Sequence, residues 1–168
     1  MDLKNKIYFE WSPFVIILTT IIALILFYCI YYSLRNYHNF TAIMSISIIA
    51  LVLLYVATQI PVYLYYDVNT FKIKHLIGQT KIPINNIITL EKVDDNITAY
   101  SIRKFGSGGF GGYLGKFSNN QLGNYTMYAT QMKNLVLIKT AKRQYIISCT
   151  DYNELINYYE NVFCEMKN

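Results

Sequence analysis

Hydrophobic and polar positions divide the chain into two unlike parts. The 24 residues between Glu10 and Arg35 carry no formal charge, and neither do the 31 residues between Arg35 and Asp67. A helix needs about 20 apolar residues to cross a hydrocarbon core of about 30 Å. Both stretches reach that length. The pattern therefore predicts two membrane helices, at about residues 12–34 and 40–64, joined by a tight turn at 35–39.

Aromatic residues lie at both ends of each apolar stretch, where amphipathic rings favour the membrane–water interface. They are Tyr8, Phe9, Trp11, Tyr28, Tyr31 and Tyr32 around the first stretch, and Tyr37, Phe40, Tyr63, Tyr65 and Tyr66 around the second. This arrangement favours a transmembrane helical hairpin over residues 1–66, instead of two buried helices of a soluble core or a cleaved signal peptide. Neither stretch carries an ionisable group in its interior, so the hairpin is interpreted as an anchor and not as a pore.

Lysine and arginine residues predict the orientation of this hairpin. The turn carries only Arg35, whereas Lys4, Lys6, Lys72, Lys74 and Lys81 flank the other ends. Cytoplasmic flanks are enriched in these residues. We therefore expect a multi-pass protein of the cell membrane with both termini in the cytoplasm.

Beyond residue 66 the hydrophobic period changes to that of strands. Alternation predicts strands at 70–75, 80–84, 87–93, 97–104, 134–140 and 143–148. A helical stripe then predicts a helix at about 151–166, formed by Leu155, Ile156, Tyr159, Val162, Phe163 and Met166. Roughly seven strands and one helix fit an α+β domain over residues 67–168.

Composition and charge narrow the classes of function. The chain is 54% hydrophobic and only 15% charged, which excludes a disordered protein and argues against a simple soluble domain. Its net charge of +5 includes no clustered basic stripe, so nucleic acid is not an expected partner. Two histidines and three cysteines without a Cys/His cluster predict no metal site, and we expect no cofactor.

Six of the eight glycines fall within residues 103–117, namely Gly106, Gly108, Gly109, Gly111, Gly112 and Gly115. The spacing formally satisfies GxGxxG, but a dinucleotide site needs a helix that begins inside the motif. No helical pattern occurs between the motif and residue 151, so the glycines are interpreted as structural residues of a bent hairpin. A small-ligand or nucleotide sensor, or an enzyme, acting through the hairpin at 106–115 remains the alternative.

Four segments carry a resemblance to a known family: RKFGSGGFGGYLGKF at 103–117, LGNYTMYAT at 122–130, NLVLIKT at 134–140 and YIIS at 145–148. Together they resemble the bacterial pleckstrin-homology-like (PH-like) domain family, in a membrane-anchored member. The resemblance implies a bent antiparallel β-sheet or barrel capped by a C-terminal helix. It implies no catalytic residues and no established ligand.

The leading hypothesis is a non-enzymatic, membrane-anchored scaffold or binding module that presents its cytoplasmic domain at the inner leaflet. Its partner would be a protein, still unidentified, or anionic lipid headgroups. No catalytic residue is expected, because no base is paired with a nucleophile. The candidate membrane or partner contacts are Lys72, Lys74, Lys81, Arg103, Lys104 and Lys116. Ordinary solvated strand faces explain these cations equally well.

Overall fold

The computed structural model describes residues 6–36, 40–67 and 69–167. A short strand, β1 (Lys6–Tyr8), precedes two helices, α1 (Pro13–Asn36) and α2 (Phe40–Ala57). The strands that follow are β2 (Pro61–Asp67), β3 (Thr70–His75), β4 (Gln79–Pro83), β5 (Ile87–Lys92), β6 (Ile102–Gly108), β7 (Tyr113–Asn119), β8 (Gly123–Ala129), β9 (Leu135–Thr140) and β10 (Gln144–Ser148). Helix α3 (Tyr152–Lys167) ends the described chain. Residues 37–39 of the predicted turn lie outside the described residues.

Helix α1 is long and apolar enough to cross a membrane, and very little of it is buried within the protein. Helix α2 is a shorter apolar helix, and the prediction that it continues to about residue 64 is wrong. It ends at Ala57, and Pro61–Asp67 is strand β2. The strand forms because β1 and β3 supply hydrogen-bonding partners on both sides. Leu64 and Tyr66 are consequently buried, in the alternating pattern of a strand.

The strands of the described chain form two sheets, instead of the single bent sheet or barrel that the family resemblance implies. One sheet has the order β1-β2-β3-β4, and the other has the order β5-β9-β10-β8-β7-β6. All neighbours are antiparallel except β8 and β10, which run parallel with Thr126 opposite Tyr145. The expectation of a purely antiparallel sheet is therefore wrong at this pair, because β9 turns back through the hairpin to β10 and inserts β10 beside β8.

The main core lies between the two sheets and under α3. It joins Leu64, Phe71 and Ile73 of the first sheet to Val136 and Ile138 of the second. A smaller core on the opposite side of the six-stranded sheet contains Phe117, Tyr125, Met127, Leu135 and Ile146. Both sides of this sheet are thus buried, which explains the nearly continuous apolar runs of β9 and β10.

Helix α3 covers one end of the main core, as the helical stripe predicts. Leu155, Tyr159 and Val162 are buried, whereas the side chains of Phe163 and Met166 lie outside the described part of the chain. The hydroxyl of Tyr66 donates a hydrogen bond to the Glu154 carboxylate. Burial, followed by this bond and the nearby negative charge, raises the pKa of Tyr66, so the phenol remains a donor.

One predicted strand begins later than its pattern indicates. The sequence favours a strand over 97–104, but Asp95–Thr98 forms a 3₁₀ helix and β6 starts at Ile102. The Asp94 side chain accepts a hydrogen bond from the Asn96 amide, 2.7 Å away, and stabilises this turn. Local capping therefore overrides the weak alternation of the first few residues.

His75 links the end of α2 to both sheets. Its side chain is only 3% exposed. Nδ1 lies 3.2 Å from the Gln59 carbonyl oxygen, Nε2 lies 2.8 Å from Thr80 Oγ1, and the ring packs on Tyr128 at 4.8 Å. Burial lowers the pKa of His75; the bond to Gln59 opposes this shift, and the positive charge of Lys74 adds to it.

We expect this histidine to make stability depend on pH below 6.5, its ordinary pKa. Above that value it is neutral in both folded and unfolded chains and contributes no pH dependence. As pH falls below 6.5 the unfolded chain binds the proton first, so the free energy of unfolding decreases until the folded pKa is passed. Thermal unfolding of the detergent-solubilised chain over a pH series measures this slope. A His75→Gln variant should show a shallower slope, and an equal slope would contradict the assignment.

Candidate functional site

One face of the four-stranded sheet is built from lysine and tyrosine side chains. Strand pairing aligns two rows across all four strands. The outer row is Lys6, Tyr65, Lys72 and Lys81, and the inner row is Tyr8, Tyr63, Lys74 and Gln79. Because strand side chains alternate between faces, the intervening Ile7, Leu64 and Ile73 point into the core. We call the eight residues of these rows the Lys/Tyr face.

Cation–π contacts organise this surface. The Lys6 ammonium lies 5.0 Å from the centre of the Tyr63 ring, and the Lys72 ammonium lies 5.3 Å from that of Tyr65. Lys72 also forms an ion pair of 3.7 Å with Asp67, the only ion pair within the described residues. The result is a half-exposed, positively charged surface with aromatic rings between the charges. Such a surface can hold anionic groups electrostatically and pack apolar groups on the rings.

The Lys/Tyr face begins where the apolar helices end. The turn between β3 and β4 lies against the end of α2, with the Ile77 amide donating to the Ala57 carbonyl at 3.2 Å and the Leu76 amide donating to Ile60 at 3.0 Å. The first of these bonds satisfies a backbone carbonyl that the helix end leaves free. The Leu76 and Ile77 side chains of this turn remain exposed beside the end of α2. The inner row of the face, which flanks this turn, is consequently the row nearer the helices.

The glycine-rich segment forms the β6–β7 turn, and this turn lies between α1 and α2. The Gly111 amide donates to Thr19 Oγ1 at 2.9 Å, and the same hydroxyl donates to the Gly109 carbonyl at 3.4 Å. A Cβ atom added at Gly109 would lie 2.5 Å from Leu18 of α1, and one added at Gly111 would lie 2.7 Å from Ile60, just beyond α2. An added Cβ would press on these side chains, and the φ angles of +136° at Gly109 and +70° at Gly111 also favour glycine.

Three other glycines allow backbones to approach each other. Gly106 lies opposite Gly115 across β6 and β7, and a Cβ on either would collide with the facing strand. A Cβ on Gly112 would lie 2.6 Å from the Ala129 carbonyl. Gly108 differs, since a Cβ there would meet the guanidinium of Arg103. The six glycines singled out by the sequence therefore lie in one hairpin but have different neighbours.

The six predicted basic contacts lie in three places. Lys72, Lys74 and Lys81 lie on the Lys/Tyr face, where Lys6 joins them. Arg103 lies beside α2, whereas Lys104 and Lys116 line a separate groove of about 360 Å³ with Lys142 and Arg143. Lys6, Tyr63 and Tyr65 were assigned to the anchor and missed as surface residues. Pro61, which disfavours a continuing helix, is the local signal that the helix ends before Tyr63 and Tyr65.

Catalytic and metal-binding chemistry has little support among the described residues. They contain no group of three histidine, cysteine or acidic side chains able to hold a metal ion. Burial, together with the negative charges of Asp151 and Glu154, raises the pKa of the Cys149 thiol to about 12. This thiol is therefore protonated at neutral pH and is a poor nucleophile.

Two packed β-sheets and a C-terminal helix make this an α+β domain. The family model described as "Bacterial PH domain" matches residues 63–162, and the chain belongs to this family. The match includes most of β2, which confirms that this segment is part of the domain. Comparisons with curated proteins and with solved structures return no match.

We expect a matched pair of glycine variants to isolate the contact between the turn and the helices. Gly111 and Gly123 have nearly equal φ angles, +70° and +68°, but only an alanine at Gly111 meets the Ile60 and Val56 side chains. Gly111→Ala should lower the melting temperature clearly more than Gly123→Ala, since the backbone strain is the same and only the clash differs. Equal losses, measured by thermal unfolding in detergent, would contradict this account.

Proposed function

We propose that this chain is a non-enzymatic binding module that α1 and α2 anchor in the cell membrane as a two-span hairpin. Both termini lie in the cytoplasm, and the PH-like domain lies at the inner leaflet. Its Lys/Tyr face binds an acidic segment of a protein partner. The family, whose domains are generally binding modules, supports the general class. The anchor, the orientation and the partner chemistry are the proposal.

The helices support the anchor. Helix α1 has 24 residues, or about 36 Å, and α2 has 18 residues, or about 27 Å. Their side chains are largely exposed, including Ile25 and Phe27 on α1 and Leu51 on α2. Such exposed apolar surface is stable in lipid but unfavourable in water. The Ser33 and Ser45 hydroxyls, 3.2 Å apart, join the two helices by the kind of polar contact that stabilises helix pairs in membranes.

The observation that carries the partner proposal is the cross-strand pairing of Lys72 with Lys81. These lysines lie directly opposite each other on β3 and β4. Like charges at such positions destabilise a sheet. Asp67 offsets only part of this charge, through its 3.7 Å contact with Lys72. An anionic partner lying across the outer row would remove the repulsion and use the neighbouring tyrosine as a packing surface.

The arrangement of the rows favours a protein over lipid headgroups. Of the four lysines on the face, only Lys74 is in the inner row; the other three are one row farther from the helices. The rows are two residues apart along each strand, or about 7 Å. Since charges are screened over about 8 Å at physiological salt, the outer row acts on a leaflet less strongly than the inner row does.

The alternative of a nucleotide site in the glycine-rich hairpin has weaker support. A phosphate cradle needs free backbone amides directed at the ligand. In this turn the Gly109 and Gly112 amides bond to each other's carbonyls, and the Gly111 amide bonds to Thr19. These donors are therefore engaged within the protein.

The orientation is testable with native Cys164, which is exposed on α3. In a Cys29→Ser background, a membrane-impermeant maleimide should label Cys164 only after the cells are permeabilised. A Leu34→Cys substitution at the other end of α1, made with Cys164→Ser, should be labelled in intact cells. Labelling of Cys164 in intact cells would contradict the proposed topology.

The partner chemistry is testable with a variant that should weaken binding without lowering stability. Lys81→Glu replaces a repulsive cross-strand pair with an attractive one, so stability should stay equal or rise slightly. Binding of a fluorescent glutamate-rich peptide to the full chain in nanodiscs of neutral lipid should weaken about fivefold. Fluorescence anisotropy measures the affinity, and thermal unfolding measures the stability.

Lys139→Glu provides the matched control, because it makes the same charge change on β9 of the other sheet. Equal weakening by both variants would indicate nonspecific charge attraction and contradict the proposal. Loss of peptide binding when anionic lipid replaces neutral lipid would indicate that the leaflet itself occupies the face, which would also contradict it.

A further inference from the structure

A second candidate surface lies between α2 and the β6–β7 hairpin. It is a groove of about 540 Å³, within the range of about 300–1,000 Å³ that is typical of small-molecule sites. One wall consists of Leu51, Val52 and Val56 of α2, and the other contains Phe105 and Phe110. The wall on α2 is therefore part of the same apolar surface that the proposed anchor exposes to lipid.

The groove is open at its mouth and is bordered there by two aromatic rings. Tyr55 and Phe105 meet edge to face, with their centres 5.3 Å apart. Phe105 remains 59% exposed although it lies on a strand of the folded domain. An exposed phenylalanine beside an apolar helix is favourable when hydrocarbon, and not water, contacts it.

Arg103 lies on the lining of the same groove. Its guanidinium crosses to Gly108, where a Cβ atom would come within 2.5 Å of Nη1. The glycine thus leaves room for the arginine to lie along the hairpin. Among the described residues, no carboxylate forms an ion pair with Arg103. An unpaired guanidinium at the edge of an apolar groove is complementary to a phosphate, which it can bind through two hydrogen bonds.

We propose that this groove binds one anionic phospholipid, with an acyl chain between α2 and the β6–β7 hairpin and the phosphate on Arg103. The inference rests on the proposed membrane anchor, but not on the proposed protein partner. Two features select this occupant. First, the α2 wall continues the lipid-facing surface, so an acyl chain enters without crossing water. Second, Arg103, the one cation in the lining of the groove, matches the single charge of the headgroup. The lipid would hold the hairpin at a set distance from α2.

Brominated lipids test the proposal in nanodiscs, because bromine on an acyl chain quenches a tryptophan that touches it. The reporter is Phe105→Trp in a Trp11→Phe background, which leaves one tryptophan in the chain. Brominated phosphatidylglycerol should quench this reporter at a mole fraction about tenfold lower than brominated phosphatidylcholine. Adding Arg103→Gln should remove that preference.

Arg143→Gln is the matched control, since it removes an exposed arginine at the β9–β10 turn, away from this groove. It should leave the preference intact. Equal loss of preference in both variants would indicate a general charge effect and overturn the proposal. Equal quenching by the two lipids in the parent would also overturn it, because the groove would then be ordinary lipid-facing surface.

A second reporter separates failure of the groove from failure of the anchor. Ile25→Trp, at an exposed position within α1, should be quenched equally by both lipids if the helix lies in the bilayer. Quenching at position 25 without selective quenching at 105 would overturn the lipid site and leave the anchor supported. Absence of quenching at both positions would overturn the anchor and the lipid site together. A second copy of the chain in the groove would protect the tryptophan at position 105 from quenching, and this protection would be lost on dilution. That result would also overturn the lipid proposal.

Discussion

The contact on which the rest of the structure depends is the insertion of the glycine-rich turn between α1 and α2. Leu18 and Phe14 contact it from one side, Ile60 and Val56 from the other, and the Thr19 hydroxyl bonds to its backbone. With a side chain at Gly109 or Gly111, either the turn or the neighbouring Leu18 or Ile60 side chain would have to shift. Because the β3–β4 turn also bonds to the end of α2, the domain is held to the helices at two separated points. Two such points restrict rotation of the domain relative to the helices far more than a flexible linker would.

This attachment determines which surfaces are available for binding. The Lys/Tyr face starts beside the helix ends and continues away from them. The α2–hairpin groove lies beside the same turn and continues the apolar surface of α2. The basic Lys/Tyr face and the apolar groove thus both lie beside the end of α2.

Much of the fold was predictable from local pattern. Alternation identified β3 at its observed bounds, and the helical stripe identified α3 to within one residue at each end. The bounds of α2 were not predictable in this way. Residues 58–66 continue the uncharged stretch of α2, yet β1 and β3 recruit 61–67 into a sheet. The parallel pairing of β8 with β10 was equally inaccessible, because it joins segments far apart in the chain and has no local signature.

The sequence alone determined that the chain combines apolar helices with a charged α+β domain, because hydrophobic period and charge density are properties of consecutive residues. It also predicted that the family is PH-like, and the family match confirms this. Only the tertiary structure decided which charges belong together. It united Lys6 with Lys72 and Lys81 across strands separated by two helices, and it separated Arg103 from its sequence neighbour Lys104. The physical reason is that a binding surface depends on strand register and on side-chain alternation, and both are set by pairing between distant segments.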